Sequence, residues 1–424
     1  MADATVREAL NATSAKERLS NLDTYLNRYQ SGELSWPQDS GNVNNHIHTV
    51  YSFSPYSPTL AATLAWENGL RTAGIMDHDS VAGAREFIAA GEKLGLATTV
   101  GMECRVSMYG TPFSDRRLNN PDQDAIAYVA MHGIPHDRLD EVAAFIKPYL
   151  EHRHERNRQM VKLLNRELVP LDTELDYETD VLPLSYAEEG GSVTERHILF
   201  AAARVIACSS RNVVGILEDT LGLQLSDKQR AQLSDPENPY LEYDLLGFLK
   251  SSLIDRIYIP AYDECPSLDE WVAFCHKVGA IPAYAYLGDV GDSVTGDKKT
   301  QAFEDAYLDD LIPYLKEKGV LAITYMPTRN TPQQLERIRG LCKQYDLFEI
   351  SGEDINSPRQ SFQNPLVASA PFAHLVEATW ALIGHEWHAT ETGEGLFTQS
   401  TPALAERIRF FAQWARERFK EETK

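Results

Sequence analysis

No run of about eighteen apolar residues interrupts the 424-residue chain, so a membrane-spanning helix is not expected. The five cysteines, Cys104, Cys208, Cys265, Cys275 and Cys342, are odd in number, scattered and free of any C-x-x-C pair. That argues against a disulfide framework or a thiolate zinc site, and for a reducing compartment. Cations are also scarce: 40 Lys and Arg face 62 Asp and Glu, a formal net charge of −22. Binding to a nucleic-acid polymer or an anionic membrane is not expected, because neutralising phosphates needs a surplus of Lys and Arg. A small anionic ligand stays open, since a bound metal and a few local arginines can reverse the sign inside one pocket. The N-terminus has no apolar run behind positive charge and the chain has no low-complexity tract, so it reads as a cytoplasmic globular protein.

What the sequence does have is a βα rhythm. VNNHIHTVYS reads as a strand, followed by a helix that Ser57 caps, Pro58 starts and Gly69 ends. TAGIMDHD is a second strand, VAGAREFIAAGEKLG a helix closed by Gly95, and LATTVGMECRV a third strand. This βαβαβ order is the grammar of a parallel sheet or barrel. Upstream, Leu19, Leu22, Leu26 and Tyr29 form one face of an amphipathic helix. From about His136 to Asp255 the pattern turns helical; the βα rhythm then resumes, with Thr331 and Pro332 opening a helix and the strand LFEISGEDIN ending at Asp354. The expected organisation is an N-terminal helical appendage (1–40), a first barrel part (41–135), an inserted helical lobe (136–255), a second barrel part (256–375) and a C-terminal loop and helix (376–424). GHEWHATETGEG is expected to be a polar loop ahead of the last helix. Its spacing is not H-E-x-x-H, so no metalloprotease geometry follows.

Residues with chemistry gather at strand ends: His46 and His48 on the first strand, Asp77 and His78 ending the second, Glu103 near the end of the third. In parallel α/β folds sites form there, because the loops that leave those ends converge. On an extended segment His46 and His48 share a face. An isolated H-x-H is more often a pair of satisfied strand histidines, so the other motifs decide.

NNHIHT, GIMDHDSVAGA and GMECRV, with the helices between them, resemble the PHP superfamily (polymerase and histidinol phosphatase) over residues 44 to 106. RHERNRQM, SVTERHILFAAA and EISGEDIN extend the resemblance in patches. The resemblance implies a distorted, seven-stranded (β/α)7 TIM-like barrel with an inserted helical lobe. It also implies up to three divalent ions, usually zinc, manganese or iron, that hydrolyse phosphate esters. Carried over residue by residue, the first ion would be held by His46, His48, Glu103 and Asp354. Two imidazoles and two carboxylates suit Zn²⁺, Mn²⁺ or Fe²⁺.

The chain departs from the family elsewhere. Phe53 or Ser54 stands where an Asp is usual, the closing Asp-x-His is Asp354-Ile355-Asn356, and two strand histidines correspond to Tyr128 and Tyr286. His78 remains. One metal site is therefore expected, and a second only if His78, Asn356 or other residues contribute. Acid/base assistance is assigned to His78 or His197. Substrate contacts are assigned to Arg196 and His197, which match the family's phosphate contacts in part, and to Tyr286 and Asn356. Arg153, Arg156 and Arg158 read at least equally well as a solvated helix face. A phosphoesterase of a small phosphorylated metabolite or nucleotide leads. A degenerate binder of metal or anion, and a metal-assisted hydrolase of another substrate, stay open beside it.

Overall fold

Residues 4–209, 212–290 and 301–421 are described by a computed structural model. Seven strands form one sheet in chain order: β1 (Asn44–Ile47), β2 (Thr72–His78), β3 (Ala97–Ser107), β4 (Ile126–His132), β5 (Ile281–Ala285), β6 (Ala322–Tyr325) and β7 (Phe348–Ser351). They are buried over almost every residue, as strands covered on both faces are. The longer helices are α1 (Ala15–Gln30), α2 (Pro58–Glu67), α3 (Ala84–Leu94), α4 (Leu139–Leu168), α5 (Glu195–Ser209), α6 (Leu241–Ile257), α7 (Leu268–Val278), α8 (Leu308–Glu317), α9 (Pro332–Gln344), α10 (Ala373–Thr392) and α11 (Leu404–Glu421). Among the described residues, no helix is long and apolar enough to cross a membrane.

The local signals act as expected. The Ser57 hydroxyl accepts the N–H of Leu60 at the start of α2, and Gly95 ends α3 in the left-handed region, φ 65°. Thr331 and Gln334 cap α9 reciprocally. β1, β2 and β3 run parallel. Leu22, Leu26 and Tyr29 of α1 join the main core, and the buried Arg18 guanidinium grips Glu86 of α3 at 2.5 and 2.8 Å.

Two features differ from an all-parallel closed barrel. β4 runs antiparallel to both β3 and β5. Its connection from β3, residues 108–125, contains no helix, and a chain that does not cross over returns at the end it left. The sheet is also curled rather than closed by a ladder. Only one parallel bridge, Ile47 to Ile355, spans the seam among the described residues, with the His48 N–H on the Ile355 carbonyl at 2.9 Å and the Ile355 N–H on the His46 carbonyl at 3.1 Å.

A second apolar cluster holds Met160, Leu164, Ile198, Ala202 and Leu249 from α4, α5 and α6. The first half of α4 packs with Val142 and Ile146 on the main core, so this helix is common to both clusters. The expected polar loop GHEWHATETGEG is corrected: residues 384–392 lie on α10, with His385 and Glu386 buried. His385 donates Nε2–H to the Gly133 carbonyl and accepts the Leu396 N–H at Nδ1, and Glu386 accepts from Thr99, Val100 and His136. Gly384 serves packing, because a Cβ there would overlap the Phe411 carbonyl of α11.

Candidate metal centre

Alternation along β1 turns His46 and His48 to one face, and the parallel register sets His78 of β2 opposite Glu103 of β3. The imidazole Nε2 atoms of His46 and His48 stand 3.2 Å apart, and His46 Nε2 lies 3.5 Å from Glu103 Oε2. Ligand atoms of these three residues all fall within 4.8 Å of one another. In a tetrahedral site with Zn–N bonds of about 2.0–2.1 Å, neighbouring ligand atoms are about 3.3 Å apart. The donor set and its spacing therefore fit a divalent ion.

The orientation of His48 is fixed from behind. Ser52 donates its hydroxyl hydrogen to Asp77 Oδ1 at 2.7 Å, which leaves its oxygen to receive Nδ1–H of His48 at 3.2 Å. Asp77 is held by the Thr49 N–H and hydroxyl, both at 2.6 Å. This chain assigns the proton of His48 to Nδ1 and turns the Nε2 lone pair toward Glu103 and His46. Ser52 was not singled out from the sequence, and Asp77 was noted there only as a strand-end carboxylate without this orienting part. The S in HTVYS and the D in MDHD were the available signals.

The other expected residues divide. Asp354, whose side chain is 41% exposed, places Oδ1 3.2 Å from His48 Nε2 and stands outside the three-residue cluster, at its edge. Asn356 donates Nδ2 to Asp354 Oδ1 at 2.6 Å and so orients that carboxylate. His78 Nδ1 lies 3.2 Å from Glu103 Oε2, and its ring stacks on His48 at 4.6 Å. Tyr128 reaches the neighbourhood, its ring 6.1 Å from that of His78. The Arg196 guanidinium lies 5.0 Å over the Phe53 ring.

Two assignments are corrected. His197 does not project as an acid or base: its Nδ1 accepts the Thr194 N–H at 3.0 Å and its ring stands edge-on to Phe53, in the apolar packing at the start of α5. Tyr286 turns its hydroxyl away to Asp305, at 2.6 Å. Arg153 and Arg156 are corrected as well, being 4% and 6% exposed and paired with carboxylates, whereas Arg158 is exposed beside Glu178. His132 is a core residue, and its Nε2 has no hydrogen-bond partner among the described residues.

Burial alone would raise Glu103, but the imidazoles of His78, His46 and His48 outweigh it and hold the carboxyl at about 2. Burial pushes His78 down to about 3 against the pull of Glu103. Burial would lower His46 too, yet the adjacent Glu103 carboxylate carries it upward. Asp354 is held well below the usual carboxylate range: the loss of solvent on the side facing the cluster opposes this, and His48, then His46 and Arg196, prevail. The cluster thus keeps its carboxylates ionised, as ligands for a cation must be.

No family model and no curated protein matches the chain by sequence. Solved structures do match. One is of a "putative metal-dependent phosphoesterase" from Bifidobacterium adolescentis, at TM-score 0.50 and 19% identity, covering 81% of this chain and 98% of that one. Another is an amidohydrolase from Chromobacterium violaceum with bound sulfate and no metal, at TM-score 0.51 and 18% identity, covering 80% and 96%. Likeness at this identity is likeness of fold.

Proposed function

We propose that this chain is a metal-dependent hydrolase of the PHP kind its motifs resemble, releasing phosphate from a small phosphorylated metabolite or nucleotide in the cytoplasm. The observation that carries the reading is the triangle of His46 Nε2, His48 Nε2 and a Glu103 carboxylate oxygen at the strand ends. A divalent ion held there would act as a Lewis acid toward the scissile group and ease the ionisation of a water molecule.

The residues divide the remaining work. Glu103 and Asp354 supply negative charge that balances an ion. Asn356 keeps Asp354 turned toward His48. With a pKa of about 3, His78 is neutral at physiological pH, so its part is to orient Glu103 or ligate, not to donate a proton as a general acid. Arg196, seated on Phe53 and close enough to depress Asp354, is suited to bind a phosphoryl oxygen through its planar fork. That cation favours an anionic ester over a neutral amide. His197 and Tyr286, engaged with Thr194 and Asp305, are left out of the proposed substrate contacts.

Elemental analysis of the purified protein, paired with phosphate release from a panel of nucleotides and sugar phosphates, tests this. About one zinc, manganese or iron per chain and phosphate release that disappears in a His46→Ala/Glu103→Ala variant are the expected results. Turnover that survives that variant ends the proposal. Hydrolysis of amides without release of phosphate transfers it to the second structure's chemistry, and metal uptake without turnover leaves a binding protein.

A further inference from the structure

Beside the metal centre lies a buried network of charge that the sequence motifs do not announce. Arg105 of β3, two residues beyond Glu103 and therefore on the same face, pairs with Glu264 and, at 3.3 Å, with Glu195. Arg156 of α4 binds Glu264 at 2.6 Å and also reaches Glu195 of α5. Arg153, one turn earlier on α4, binds Glu264 at 3.3 Å and Asp79. Three guanidinium groups thus meet three carboxylates. Arg105, Arg153, Arg156, Glu264 and Asp79 are each no more than 6% exposed.

Asp79 is where this network touches the ligands. It directly follows His78, holds a left-handed φ of 51°, and donates its N–H to the Glu103 carbonyl at 2.8 Å. The turn is gripped at two further points from the same side of the molecule. Ser192 donates its hydroxyl to the His78 carbonyl at 2.6 Å, and Ser80 donates to the Gly190 carbonyl at 2.7 Å. The segment from the His78 carbonyl to Ser80 is therefore held by groups from residues 153–192, and Arg153 supplies the only charged one among the contacts described.

We infer that Arg153 is a positioning residue of the metal centre: through Asp79 it sets the turn that carries His78 and ties that turn to Glu103. This rests on the metal reading proposed above. A second-layer partner of this sort ordinarily governs metal affinity by about 10–100-fold, and does so without touching the ion.

Three variants test it: Asp79→Asn, Arg153→Lys and, as a control on the exposed face of the same helix, Arg158→Met. Asparagine is isosteric with aspartate and tolerates the left-handed region, so Asp79→Asn removes the charge pair without backbone strain. Each folded protein is titrated with Co²⁺, following the visible absorption bands and the dissociation constant, with far-ultraviolet circular dichroism as the check on folding. The expected result is a loss of affinity of about 10–100-fold with altered bands in Asp79→Asn and Arg153→Lys, and none in Arg158→Met. Should Arg153→Lys fail to fold, Asp79→Asn decides alone. Wild-type affinity and spectrum in Asp79→Asn overturn the inference while the metal reading stands. A wild-type protein that takes up no Co²⁺ overturns both.

Discussion

One row of residues crosses the sheet at a single level: His78, Glu103, Ala130, Ala283, Ala322 and Phe348, each opposite the next. Its two halves are built to different ends. On the β1–β3 side the row and its neighbours carry imidazoles and carboxylates within bonding reach of each other. On the β4–β6 side it carries three fully buried alanines. Those alanines pack with Ala378, Ala381 and Leu382 of α10. Small side chains let a helix approach the sheet closely, and the approach removes that half of the surface from water. The difference teaches that the candidate centre is one-sided. The clustered donors come from β1 and the residue after it and from β3, with His78 of β2 and Asp354 after β7 beside them, and the opposite wall serves as packing.

The most severe way to break this contrast is to strip the ligand half. His46→Ala with Glu103→Ala removes two of the three clustered donors, and metal uptake measured by elemental analysis is expected to fall to background. Next, Ser52→Ala leaves every ligand in place but frees the His48 ring, with an expected loss of metal affinity of about 10–100-fold by Co²⁺ titration. On the packing half, Ala283→Leu forces extra volume against α10. A loss of about 1–3 kcal/mol in urea unfolding is expected with Co²⁺ affinity unchanged, because overpacking strains the core without reaching the ligands.

Acid titration sharpens the contrast further. For the metal-free protein between pH 6.5 and about 3, unfolded His78 binds a proton that the folded form refuses, so stability falls as pH falls. Glu103 adds a loss of the same sign between 4.5 and about 2. His46, whose pKa is raised, runs the other way: its contribution is lost as pH rises through the folded value. His78→Gln is expected to flatten the dependence of urea midpoint on pH in the upper of the first two windows. Tyr128→Phe is expected to do least, with no measurable change in Co²⁺ affinity, since the ring that faces His78 at 6.1 Å is kept and only the hydroxyl is removed.

The ligand half was legible because its signals are local. H-x-H on a strand fixes a shared face, Gly95 and Ser57 fix the intervening helix boundaries, and three strand ends in parallel order converge whatever the rest of the chain does. The packing half and the lobe were less legible because their partners are distant in sequence. Arg153 reads as solvated until Glu264, more than a hundred residues on, is brought beneath it. The polar residues of GHEWHATET read as a loop until His385 and Glu386 are seen buried in α10 and Gly384 is seen to leave the space that Phe411 needs. Tyr286 follows a strand as expected, but Asp305 outcompetes the centre for its hydroxyl. The reversal of β4 left no residue-level mark beyond the missing helix in 108–125.

That reversal has a consequence for how such a protein can diversify. Ser107 pairs with Ile126, so the excursion between β3 and β4 leaves and re-enters the sheet at the rim beyond Glu103. Most of that excursion is tied down: Phe113, Leu118 and Asn120 are buried, and Asn119 bonds the backbone of Tyr128 on β4 and the carbonyl of Ala285 on β5. Freedom to vary is thus confined to its exposed turn around Tyr109 and Gly110, while the returning half clamps the strand that breaks the parallel order.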